Sequence, residues 1–82
     1  MIYKIEIAKP AQKFIAKQPK SQQIRLLQAI QKLPLEGDIK KLAGRTNQYR
    51  LRVGDYRIIY EVHDDVLIVR VLNAGNRGDI YK

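Results

Sequence analysis

Apolar and polar residues alternate from Ile2 to Ala8, with Tyr3, Ile5 and Ile7 on one side and Lys4 and Glu6 on the other. An alternation of period two predicts a strand with one buried face. The pattern then changes. Pro10 suits the first turn of a helix, and Phe14 with Ile15 gives that helix an apolar side. Pro19 separates it from a second helix, for which Ser21 is an N-cap candidate and Lys20 an alternative start. Ile24, Leu27, Ile30 and Leu33 recur at helical spacing until Pro34 ends the run. Leu35–Asn47 reads as a loop, with Ile39 and Leu42 as its anchors in the core.

The second half returns to period two. Tyr49, Leu51 and Val53 alternate with Arg50 and Arg52. Gly54-Asp55 suits a two-residue hairpin turn, because glycine supplies a positive φ. Tyr56–Val62 and Val66–Leu72 are two further strands joined around His63-Asp64-Asp65, and Asn73–Gly78 reads as a loop. The predicted order is β-α-α-β-β-β. This is an α+β fold with two N-terminal helices packed on one face of a twisted, mostly antiparallel four-stranded sheet. Residues 1–82 are expected to form a single domain.

Charge narrows the function. Sixteen Lys+Arg against 8 Asp+Glu leave a net charge of +8 on 82 residues, which points to an anionic partner, nucleic acid first. A membrane surface fits less well, because the helices lack a Trp/Phe-rich apolar face. No apolar run approaches transmembrane length, and the N-terminus does not read as a signal peptide. Cysteine is absent, which removes disulfides and thiolate metal sites and fits a cytoplasmic location. Lysines dominate up to Lys41, with Arg25 the exception, whereas from Arg45 onward the bases are Arg45, Arg50, Arg52, Arg57, Arg70 and Arg77, until the terminal Lys82. Lysine is a point charge, whereas the planar arginine fork can hold a phosphate through two bonds.

The hairpin turn fixes which arginines meet. With Gly54-Asp55 as the turn, Val53 faces Tyr56, Arg52 faces Arg57 and Arg50 faces Ile59, so Arg50, Arg52 and Arg57 share a face. Like charges opposed across strands destabilise a sheet. Either these side chains are solvated and harmless, or a phosphate between the strands relieves the repulsion.

The run Tyr49-Arg50-Leu51-Arg52-Val53-Gly54-Asp55-Tyr56-Arg57-Ile58-Ile59-Tyr60 resembles the central hairpin of the RelE/ParE toxin superfamily. Leu42-Ala43-Gly44 and Asn76-Arg77-Gly78-Asp79-Ile80-Tyr81 are similar to its flanks. The resemblance to RelE-type members implies a type II toxin that cleaves messenger RNA on the ribosome, inhibits translation and is neutralised by a cognate antitoxin. It also implies contact with operator DNA through that antitoxin. Carried over, the functional residues are Arg50, Arg52, Arg57, Arg77 and Tyr81. The first two are often lysine in the family, and as arginines neither can act as a general base. ParE-type gyrase poisons generally do not keep this set, so the ribonuclease branch is favoured over a gyrase poison or a non-catalytic nucleic-acid-binding co-repressor.

Cleavage by the RNA's own 2′-hydroxyl needs a proton removed, a dianionic state stabilised and the leaving 5′ oxygen protonated. Converging arginines can stabilise the charge, and Arg77 can do so near the leaving group or donate to it. Tyr81 is the titratable candidate for the base, since guanidiniums nearby lower a phenol's pKa. The reading calls for no metal and no cofactor. His63 stands roughly 20 Å along the strand from Arg57, at the opposite turn, and reads as a polar turn residue. Tyr49, Tyr56 and Tyr60 fall opposite the arginine face and read as core. Lys9, Lys13 and Lys17 recur every four residues on the first helix. With Arg45 they are weaker RNA-binding candidates, and a plain solvated face explains the three lysines equally well.

Overall fold

A computed structural model describes residues 2–44 and 46–76. Its elements are β1 (Lys4–Ile7), α1 (Lys9–Ala16), α2 (Lys20–Gln31), β2 (Asp38–Lys41), β3 (Gln48–Val53), β4 (Tyr56–His63) and β5 (Ile68–Asn76). The strands form one mixed sheet in the order β1-β5-β4-β3-β2. β1 runs parallel to β5, and every other neighbouring pair is antiparallel.

The sheet has five strands, not four. Asp38–Lys41, read as loop, pairs with β3 through Ile39↔Leu51 and Lys40↔Arg50. A four-residue edge strand with one inward apolar residue shows too little alternation to be recognised. β5 also continues past Leu72. Asn73–Asn76, read as loop, pairs with β4 after a bulge opposite Ile59/Tyr60, and a bulge is where an extra residue is absorbed without ending the strand.

The inward face carries Leu51, Val53, Ile58, Tyr60, Val69, Val71 and Ala74, all buried. Ala11 and Ile15 of α1, Leu26 and Ile30 of α2, and Leu33 just beyond its end close the same core. Both helices therefore cover one face of the sheet. Pro10 lies in the first turn of α1, where no N–H is required of it, and the Ala8 N–H donates to the Val71 carbonyl at 2.8 Å. This ties the start of α1 to β5. On α2 the buried residues are Leu26 and Ile30, followed by buried Leu33 just past its end, whereas Ile24 and Leu27 are exposed at its flank. Both stripes have helical spacing, and periodicity alone does not choose the phase.

The tyrosines fall as their spacing requires. Tyr60 is 1% exposed, and burial pushes its phenol up to about 12. Tyr49 stacks on it with ring centroids 5.6 Å apart. Tyr56 meets the Phe14 ring edge-on and donates to the Gln18 side-chain oxygen at 3.1 Å. Gln18, at the end of α1, is thereby joined to β4.

Candidate nucleic-acid interface

The core residues of β3 and β4 face the helices, so the alternate residues lie on the open face. There the register is Arg52↔Arg57 and Arg50↔Ile59, with Val53↔Tyr56 at the turn, as the turn chemistry predicts. Gly54 adopts φ +58°, the conformation that lets a two-residue turn close this hairpin. β2 adds Lys40 opposite Arg50 and Asp38 opposite Arg52. β5 places Gly75, which has no side chain, opposite Arg57.

Two clefts divide these side chains. Arg50 and Arg57 line one of about 420 Å³ together with Lys40, Lys41, Leu42 and Ala43. Arg52 lines a second, of about 370 Å³, between α2 and the hairpin end of β3. The three arginines thus share a face, but Arg52 lines a different cleft from its cross-strand neighbour Arg57.

The Arg50 side chain is only 12% exposed, and its Nη2 lies 3.5 Å from Asp38 Oδ1, whose side chain is 63% exposed. Arg50 Nε is buried with no hydrogen-bond partner among the described residues. Leaving a buried donor unsatisfied costs about 1–3 kcal/mol, more for a charged group. A phosphate oxygen in the cleft would recover that cost, and one exposed carboxylate at 3.5 Å does so only weakly.

His63 ends β4 and sits 3.1 Å from Glu61 Oε1. That contact, with help from Gln48, holds the Glu61 carboxyl below its ordinary range. His63 therefore belongs to a polar pair at the end of the sheet away from the arginines. Lys9, Lys13 and Lys17 are exposed on α1, in the helical layer. They are not brought to the arginine face. Arg45, Arg77 and Tyr81 lie outside the described residues. Lys40 and Lys41 were not singled out by the sequence pattern. Their signal is the strand pairing that sets Lys40 beside Arg50, and pairing between distant segments leaves no local trace.

Among the described residues, no group of three or more His, Asp or Glu side chains gathers in a way that could hold a metal ion. The open face instead offers fixed positive charge and buried N–H donors, an arrangement that can bind and polarise phosphate.

Residues 5–78 match the family described as the ParE toxin of the type II toxin–antitoxin system parDE. Toxin RelE3 of Methanocaldococcus jannaschii is 56% identical over 47 residues, a stretch covering 57% of this chain and 51% of that protein, so the match spans about half of the relative's length. Among solved structures, the archaeal RelE–RelB complex of Pyrococcus horikoshii superposes with a TM-score of 0.81 at 31% identity, covering 96% of this chain and 99% of the other. The RelB–RelE antitoxin–toxin complex of Methanococcus jannaschii gives 0.75 at 33% identity, covering 93% and 94%. Sequence, element order and hairpin agree, and the chain belongs to the RelE/ParE family of type II toxin–antitoxin toxins.

Proposed function

We propose that this protein is the RelE-type toxin of its pair: a ribosome-dependent endoribonuclease that cuts messenger RNA in the cytoplasm and is silenced by a cognate antitoxin. The observation that carries the reading is the hairpin register, which opposes Arg52 to Arg57 and puts Arg50 beside Lys40 on the open face. That arrangement gathers positive charge on one face and suits a bound polyanion.

The RNA's 2′-hydroxyl attacks the adjacent phosphorus, and the bond to the leaving 5′ oxygen breaks. Arg50 and Arg57, in one cleft, stabilise the negative charge that develops on the phosphoryl oxygens. Arg52 holds the strand on the neighbouring side. Family resemblance gives Tyr81 the 2′ proton and Arg77 the leaving-group oxygen. The charge work falls to guanidiniums, and no metal is called for.

RelE relatives occur in complexes with RelB. A partner antitoxin for this +8 chain would be an acidic or amphipathic segment that folds as it binds, covering the open face or displacing the C-terminal residues. Bound to operator DNA, it would bring the toxin with it.

Primer extension on a reporter mRNA after brief expression tests the reading. New 5′ ends within translated codons are expected, and they should vanish when translation of that message is blocked. DNA breaks and an SOS response without such ends would assign the chain to gyrase instead.

A further inference from the structure

The second cleft is lined by Arg25, Lys32, Glu36 and Arg52, with Gly37 and Gly54 completing its wall. Arg25 comes from the middle of α2 and reaches the hairpin turn. A Cβ placed on Gly54 would lie 2.9 Å from both of its Nη atoms. No ion pair or side-chain hydrogen bond engages Arg25, Lys32 or Arg52 among the described residues. Arg70, in contrast, is held by Glu6 through Nε and Nη2 at 3.1 and 3.0 Å. Three cations therefore converge on a cleft whose one carboxylate among the described residues, that of Glu36, belongs to an exposed residue.

We infer that this cleft is a second phosphate subsite, holding the RNA backbone next to the phosphate at Arg50 and Arg57, with Arg25 as a further RNA-binding residue. The inference rests on the ribonuclease reading for the identity of the strand. Arg52 links the subsites, because it lines this cleft while standing opposite Arg57 of the other. Opposed side chains start about 5 Å apart at Cβ, so neighbouring phosphates of one flexible strand can engage both. Gly54 has no side chain, and the Arg25 guanidinium occupies the space beside it that a Cβ would enter, which seats Arg25 against the hairpin turn. Arginine forks in series suit a polyanion with regularly spaced charges. An acidic peptide would meet the same cations without that spacing.

The test uses the full chain and a short single-stranded RNA with every 2′-hydroxyl methylated, so that it binds without being cut. Amide NMR should show shifts at Gly37 and Gly54 as well as around Arg50 and Arg57. Arg25→Gln should weaken binding about tenfold at low salt and reduce the slope of log affinity against log salt by about 0.7, the loss of one phosphate contact to a single strand. Arg25→Lys should keep the slope. Shifts confined to the Arg50–Arg57 cleft, with an unchanged slope for Arg25→Gln, would overturn the second subsite and leave the proposed function standing. Absence of shifts at both clefts would refute both. Shifts at Gly37 and Gly54 caused by a polyglutamate peptide but not by RNA would overturn the inference by assigning the cleft to an acidic protein segment.

Discussion

Replacing Arg52 with glutamine should make the protein more stable and less active at once. Arg52 and Arg57 are direct cross-strand neighbours, both half-buried. Like charges at about 7 Å repel by about 0.6 kcal/mol in bulk water and about 2.4 kcal/mol at an effective dielectric of about 20. Side chains that splay apart recover part of this, and cross-strand charge pairs contribute about 0.2–1 kcal/mol. Asp38 stands on the other side of Arg52, but its carboxylate reaches Arg50 and offsets little of the repulsion. A gain of about 0.5–1 kcal/mol follows for Arg52→Gln, which for a domain of this size raises Tm by roughly 2–8 °C. The assay is calorimetry of the free toxin at about 0.01 M and about 1 M salt, since the Debye length falls from about 30 Å to about 3 Å between them. The gain should shrink at high salt, and Arg52→Lys, which keeps the charge, should show none. Cleavage by Arg52→Gln on programmed ribosomes should fall, on the order of tenfold, for loss of one charge-assisted phosphate contact worth about 1.5 kcal/mol. A lower Tm for Arg52→Gln, or a gain indifferent to salt, would refute the claim that the site opposes folding.

Arg57→Ala should abolish growth arrest while circular dichroism shows an intact fold, and Arg50→Lys should be milder because it keeps the charge and loses only the fork. Continued mRNA loss in Arg57→Ala cells would place the site elsewhere. Gly37→Ala should destabilise by about 2 kcal/mol or more, measured by urea unfolding. Gly37 has φ +131°, and an added Cβ would lie 2.6 Å from Cδ1 of the buried Leu51. The Tyr60 phenol is raised from 10 to about 12, so the folded state holds its proton where the unfolded chain has lost it. That contribution is full below pH 10 and disappears as pH rises through about 12. Tyr60→Phe should flatten the alkaline fall in stability, monitored by thermal melts.

The hairpin was legible because its information is local. Gly54-Asp55 sets the turn, and the turn sets the pairing of Arg52 with Arg57. The phase of α2 was not legible, since it depends on which of its faces packs against the sheet, a contact between distant segments. β2 was hidden for the same reason. Asp38–Lys41 becomes a strand because β3 offers an edge, with Ile39 alone turned towards the core. Lys40 and Arg25 enter the site only through such long-range packing. Asn73–Asn76 looked like a loop from its composition, yet Ala74 opposite Ile58 holds it in the sheet, where burial outweighs poor strand propensity.

The sheet handles its arginines in two ways, and the contrast supplies a last prediction. Arg70 stands between Glu6 and Glu61 in the register, and Glu6 binds it through two nitrogens. This is how a fold places an arginine for structure. Arg50 stands between Lys40 and Ile59, Arg52 between Asp38 and Arg57, and Arg57 between Arg52 and Gly75. Where the register flanks Arg70 with two carboxylates, it sets one, Asp38, beside Arg50 and Arg52 among the described residues. Ile59→Glu would bring the Arg70 arrangement to Arg50, setting a carboxylate directly across the strand from a mostly buried guanidinium. The new pair would occupy the Arg50 fork and compete with phosphate, so cleavage should drop at least about tenfold, the worth of about 1.4 kcal/mol. Ile59 is half-buried on the open face, so its replacement also removes some apolar contact. Ile59→Gln carries that loss without the charge and should retain most activity. Full cleavage by Ile59→Glu, with a fold intact by circular dichroism, would show that Arg50 is not free to be captured and that the register does not mark the site.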